Sequence, residues 1–254
     1  MAQKTDYRYA LIAGICITAL IGVSFLPPIS QDTDYHSFAD RRMWLGIPNF
    51  FNVVSNIPFI LIGAFGIGAL RAIDRGQLVE AVLPAYFYFF IGVAGVGFGS
   101  IYYHLDPGNV TLIWDRLPMT LAFMAFVTII IAEYLSERLA VWLMYPLLAA
   151  GFISVGYWYW TELSGVGDLR WYGLVQFLPL TLLPVVLGLF PPRFSGGGRY
   201  GLFFGLYAAA KVFELTDVGV YRMLSGLSGH TIKHLLAAAG CYVFLRQLIE
   251  RRRL

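Results

Sequence analysis

"YFYFFIGVAGVGFGSIYYHLDPGNVTLIWDRLPM" (Tyr86–Met119) decides the architecture. An almost uncharged run is followed by the turn signal LDPGN and then by a second apolar run, a pattern that predicts two antiparallel helices joined by a tight connection. A helix needs about 20 apolar residues to cross the hydrocarbon core of a bilayer. Runs of that length recur along the chain, with predicted spans at 9–27, 50–70, 80–103, 110–133, 139–160, 170–190, 200–221 and 229–247. The breaks between them carry turn chemistry: PPISQDTD, AIDRG, LSERL, LSGVGD and PPRFSGGG. The expected fold class is therefore an all-α polytopic membrane protein of about eight spans, with residues 1–254 forming one integral membrane domain.

Composition agrees with that class. The 254 residues are 58% hydrophobic and 13% charged, about half the charge fraction of an ordinary soluble domain. The net charge of +3 is dispersed between apolar runs, which excludes a nucleic-acid surface. Cys16 and Cys241 both lie inside apolar runs, so neither a disulfide framework nor a thiolate metal site is expected. The first run ends in FLPPIS rather than a small-residue cleavage site, and it reads as a retained helix.

Basic residues set the expected orientation. With the N-terminus cytoplasmic, the inner side collects Lys4, Arg8, Arg71, Arg75, Arg138, Arg193, Arg199, Arg246 and Arg251 to Arg253. The outer side collects Arg41, Arg42, Arg170 and Arg222. Eleven against four is a positive-inside bias that puts both termini in the cytoplasm.

That topology brings chemistry together at one depth. His104, His230 and His234 fall at the outer ends of the third and eighth spans, and Asp115 at the outer start of the fourth. His230 and His234 are four residues apart, so they share a helix face about 6 Å apart. With His104 they offer three imidazoles and an open fourth position, the pattern of catalytic zinc; copper, nickel and iron also accept imidazole. Asp115 is the candidate to orient water or carry its proton, and Ser100, one turn from His104, the candidate hydrogen-bond donor to a carbonyl oxygen. Lys233 points away from the histidine face and anchors the helix at the surface. Lys211, Glu214 and Asp217 form an ion-pair ladder along the seventh span, with Asp217 alternatively beside the metal. Arg116 reaches headgroups or anionic groups. The glycines of GVAGVGFGS (Gly92–Ser100) permit close helix packing, GYWYWTEL (Gly156–Leu163) forms an interfacial belt, and His36 is a loop surface residue.

Together, SIYYHLDPGNVTLIWDRLPM, SGHTIKHLLAA and FFNVVSNIPF resemble the motifs of the alkaline ceramidase family, part of a wider superfamily of membrane hydrolases that includes adiponectin-receptor-like proteins. The likeness runs from about Asp34 to Gly240. It implies a seven-helix core, here 50–247, with 9–27 as an additional N-terminal helix. It implies zinc on His104, His230 and His234, catalytic roles for Ser100 and Asp115, and a ceramide-like substrate cleaved to a sphingoid base and a fatty acid. The superfamily's metal site also serves other lipid amides and esters. The partners implied are a membrane lipid and the bilayer. The expected location is a bacterial inner membrane with the site facing the periplasmic side. Some members carry an acidic calcium site before the first core helix. Asp34, Asp40, Asn49 and Asn52 stand there without the same acidic run, so calcium is the weaker expectation. A receptor-like protein with a structural metal would need a fourth ligand from His36 or Asp115, and a transporter would need polar residues across the whole membrane.

Overall fold

A computed structural model describes residues 6–254; Lys4, counted above on the inner side, lies outside them. The described chain is helical, with two isolated β-bridges and no strand. The helices are α1 (Tyr7–Phe25), α2 (Phe50–Val54), α3 (Ile57–Ala72), α4 (Leu83–Leu105), α5 (Asn109–Ile130), α6 (Glu137–Leu163), α7 (Arg170–Leu189), α8 (Gly198–Leu215), α9 (Asp217–Leu224) and α10 (Gly229–Glu250). Among the described residues, seven helical segments are long and apolar enough to cross a membrane, counting Phe50–Ala72 as one. The chain is a polytopic all-α membrane protein.

The expected seventh span, 200–221, is the one that differs. α8 carries Arg199, Lys211 and Glu214, too many charges for a simple apolar span, and it stops at Leu215. After a break at Thr216 the chain turns into the short α9. α8 packs along α10, so its polar positions face protein rather than lipid alone.

Small residues set the distances between the central helices. A Cβ on Gly92 would meet Ala122, one on Gly95 would meet Pro118, and one on Gly99 would lie 1.9 Å from the Trp114 carbonyl oxygen. This seam holds α4 and α5 closer than any larger residue permits. Below it, Phe89, Phe126, Phe203 and Phe244 interlock, with Phe126 and Phe203 stacked at 4.7 Å between centroids. The additional helix α1 leans on α7 and buries no residue fully.

Both described chain ends lie at the same end of the bundle. Arg8 donates to the Leu189 carbonyl at 2.9 Å, and the Leu254 amide donates to the Arg193 carbonyl at 2.9 Å. A buried ion pair closes this end: Arg251 Nη1 donates to Glu133 Oε1 at 2.7 Å. Tyr86 and Tyr200 donate to the two oxygens of Glu133 at 2.7 and 2.6 Å. Glu133 reaches this position from a π-helical turn, Ile131–Leu135, that extends α5.

Removing one partner of such a pair strands a buried charge, at a cost of about 3–5 kcal/mol. Glu133→Ala or Arg251→Ala should therefore lower the thermal midpoint of the detergent-solubilised protein sharply. The combined substitution to Met at both positions should lose less than either single change.

Candidate metal centre

α4 ends at Leu105 with His104 in its last turn, while α10 begins at Gly229 with His230 and His234 on its first two turns. About 30 Å of α10 separates His230 from the chain end, so the histidines lie at the opposite end from the Glu133–Arg251 pair. All three rings are buried, and one ligand nitrogen from each lies within 4.8 Å of the others. His104 Nε2 and His234 Nε2 are 3.3 Å apart. Among the described residues this is the group able to hold a metal ion.

Neighbouring groups hold the His234 ring and the backbone of His104 and His230 in place. The Ser55 hydroxyl lies 2.8 Å from His234 Nδ1 and the Asn56 amide 3.3 Å from it, leaving Nε2 turned into the cluster. Ser55 and Asn56 are available because the predicted span 50–70 is interrupted there. Pro58 starts α3 afresh, as proline favours the first turn of a helix. Asn49 adopts a left-handed backbone conformation (φ 49°) and donates from Nδ2 to the His104 carbonyl at 2.9 Å. Asp217 accepts from the His230 amide at 2.8 Å and from the Ala39 amide at 2.9 Å. That contact depends on Gly229, whose Cβ would lie 2.3 Å from the Phe213 carbonyl oxygen. The segment held by Asp217 lays Phe38 over the cluster, with its ring 4.6 Å from those of both His104 and His230.

Ser100 and Asp115 are buried in the same region. The Gly99 contact brings the Asp115 backbone against α4, and the Ser100 hydroxyl lies beside the Asp115 carboxylate. Asp115 does not join the close group formed by the three histidines. His36 is committed elsewhere: Nδ1 pairs with the Tyr103 hydroxyl at 2.8 Å and Nε2 with Asn109 Oδ1 at 2.9 Å.

Several expectations are corrected. Lys233 does not turn away to the surface. Its Nζ pairs with Glu214 at 2.8 Å and lies 3.3 Å from His230 Nε2, because the half-buried Glu214 draws it inward. Lys211 and Glu214 pair at 2.6 Å as a ladder predicts, but Asp217 leaves the ladder for the two amides. Arg116 is buried rather than headgroup-facing: it donates to Gln31 and stacks on Trp158 and Tyr172 at 4.3 and 4.6 Å. Within the expected aromatic belt Trp160 is exposed, but Trp158 is fully buried beneath that arginine.

Of the four calcium candidates, Asp40, Asn49 and Asn52 are engaged by different partners, and Asn52 also donates to the Asp40 carbonyl at 3.2 Å. Asp34 is exposed. Both oxygens of Asp40 accept from Arg42, whose hydrogen bonds outweigh burial and hold the Asp40 carboxyl below its ordinary value. Asn52 Oδ1 accepts from Thr231, and Asn49 is the donor to His104 described above.

A ceramidase family model matches residues 45–180 of the chain. The chain belongs to the ceramidase family. The match includes Ser55, Ser100, His104 and Asp115, whereas His230 and His234 lie beyond it and join the site through the fold. No curated protein matches the chain.

Sequence reasoning missed Phe38, Ser55, Asn56 and the amide contact of Asp217. Ser55 and Asn56 stand in the quoted FFNVVSNIPF motif, which was the available signal. Nothing in the sequence marks Phe38. Outer partners of metal-binding histidines typically contribute a factor of about 10–100 in metal affinity. Ser55→Ala should weaken metal binding by that order, measured by competition with a chelator, while the circular dichroism spectrum stays unchanged.

Proposed function

We propose that this protein is a metal-dependent intramembrane hydrolase that cleaves the amide bond of a ceramide-like lipid. The carrying observation is the position of the histidine cluster between a cleft of mixed polarity and a wholly apolar cavity. On the outer side, a cleft of about 260 Å³ reaches His230, between Tyr35 and Phe38 on one wall and Glu214 and Asp217 on the other. On the membrane side, a wholly apolar cavity begins one turn below the site on four helices. Phe59 follows Ser55, Val96 precedes Ser100, Met119 follows Asp115, and Ala237 follows His234. An amide at the boundary between headgroup and hydrocarbon fits such a junction.

Zinc suits a donor set of three buried imidazoles with no fourth protein ligand in the group. When bound, it would supply Lewis-acid polarisation of the amide carbonyl and activation of water. The chain's own residues do the rest. Ser100 donates its hydroxyl proton in a hydrogen bond to the carbonyl oxygen as negative charge develops there. The Asp115 carboxylate accepts the proton that water gives up on adding to the carbonyl carbon. It returns that proton to the amide nitrogen as the C–N bond breaks, leaving a fatty acid and a free amine. Phe38 covers the rings and limits water from the outer side.

A structural metal is the second reading. It would want a fourth protein ligand, and His36 is unavailable because both its nitrogens are paired.

The expected location, a bacterial inner membrane, is retained in this proposal, with the site on the face opposite the termini as the charge count orients it. Residues 1–254 are read as one domain, with α1 as the addition to a core spanning 50–247.

His230→Ala should abolish both bound zinc, measured by elemental analysis, and ceramide turnover. Asp115→Asn should keep the zinc and lose about 10²–10⁴-fold in turnover. Intact turnover of ceramide and other lipid amides in either variant contradicts the assignment. The floor of the apolar cavity generates a further expectation. Phe126 lies eleven residues beyond Asp115, about 16 Å along α5. An extended chain advances about 1.2 Å per bond, so roughly a dozen carbons reach that floor. Phe126→Ala should shift the preferred acyl length upward, read by mass spectrometry of products from a mixed-chain substrate.

A further inference from the structure

At the end of the bundle opposite the histidines, four segments distant in sequence line a half-open polar pocket of about 260 Å³. Arg75 and Glu80 line it from the α3–α4 connection, Glu137 from the start of α6, Arg193 from the connection after α7, and Arg253 from the tail after α10. One buried side chain holds two of the walls. Arg251 donates from Nε to the Gln77 carbonyl at 2.7 Å and places its guanidinium 4.0 Å over the Phe194 ring. Gln77 returns a hydrogen bond to the Arg251 carbonyl at 2.6 Å. The tail is tied to the second wall by the Ser195 amide on the Arg252 carbonyl at 2.8 Å and by the Arg252 amide on the Ser195 hydroxyl at 2.9 Å. Arg253 is therefore carried on an ordered backbone.

The charges around the cavity are not balanced internally. Arg193 pairs with Glu137. Among the described residues, Arg75 and Arg253 have no ion pair and no side-chain hydrogen bond, and the remaining carboxylate on the wall is Glu80. Topology anchors need only lie on the correct side of a membrane; they need not converge on one pocket from separate segments. A guanidinium presents a planar fork of donors that matches phosphate oxygens. The cavity sits where α4 and α6 begin and α7 and α10 end, which is headgroup depth, and Leu78 and Val79 add an apolar patch to its wall. Basic pockets between helix ends at that depth fit anionic lipid headgroups.

We propose that this cavity binds the phosphate group of an anionic membrane phospholipid, with Arg75 and Arg253 as its guanidinium contacts. The site is separate from the hydrolytic centre and independent of the proposed reaction.

The test is native mass spectrometry and thermal unfolding of the full-length protein in detergent, with added phosphatidylglycerol, phosphatidylcholine or inorganic phosphate. The wild type should retain one phosphatidylglycerol in preference to phosphatidylcholine and show a raised thermal midpoint. Two guanidiniums at a membrane surface each contribute about a factor of five, so R75A/R253A should bind about 25-fold more weakly. Its zinc content should match the wild type, which shows that the fold is intact. Glu80→Gln, which removes the opposing carboxylate, should bind more tightly. Equal retention of phosphatidylglycerol by wild type and R75A/R253A, or equal retention of both lipids, overturns the site. Protection by inorganic phosphate at the same concentration as the lipid overturns the lipid as its source.

Discussion

The approach of α4 to α5 at Gly99 is the contact on which the centre depends. A single methyl group there would lie 1.9 Å from the Trp114 carbonyl oxygen, so any side chain would force the helices apart. Ser100 and His104 project from α4 just beyond this contact, and Asp115 projects from α5 immediately after Trp114. Moving the helices by the width of a methyl would separate the hydroxyl from the carboxylate. Gly229 imposes the same constraint on α10, where close approach to the Phe213 carbonyl puts the His230 amide on Asp217. Two glycines thus bring elements from the middle and the end of the chain to one point.

A ring of hydrogen bonds then makes the geometry specific. Each histidine has a support of its own: Asn49 on the His104 carbonyl, Asp217 on the His230 amide, and Ser55 with Asn56 on the His234 ring. None of these residues belongs to the close imidazole group: Ser55 and Asn56 orient the His234 ring, while Asn49 and Asp217 hold the backbone that carries His104 and His230. Asp217 also holds the Ala39 amide, which couples the cover formed by Phe38 to the start of α10. The opposite end of the molecule is built differently. A buried carboxylate, a guanidinium and two phenols are satisfied by one another, closing the bundle without any comparable gathering of imidazoles.

Much of this was legible in the sequence because membrane helices announce themselves by length and apolarity. The turn LDPGN, the i,i+4 spacing of His230 and His234, and the glycines of Gly92–Ser100 each lead to the structure by local rules. The failures share a cause. Lys233, Arg116 and Asp217 were read by position along a helix, whereas their partners come from other elements: Glu214, the Trp158 and Tyr172 rings, and the His230 and Ala39 amides. A charge inside an apolar bundle goes to whatever satisfies it, and that partner is fixed by tertiary structure. The break at Thr216 was missed for the same reason, since α8 continues as an apolar pattern past the point where the chain must turn to deliver Asp217.

The central claim is that the three histidines hold an ion that serves hydrolysis rather than folding. The most direct measurement follows lipid-amide products by mass spectrometry as zinc is returned to chelator-treated protein in vesicles of mixed membrane lipids. The account predicts that chelation stops release of fatty acid and amine while the protein stays folded, and that one equivalent of zinc per chain restores it. Product release unaffected by chelation, or unfolding as soon as the metal is removed, would contradict it.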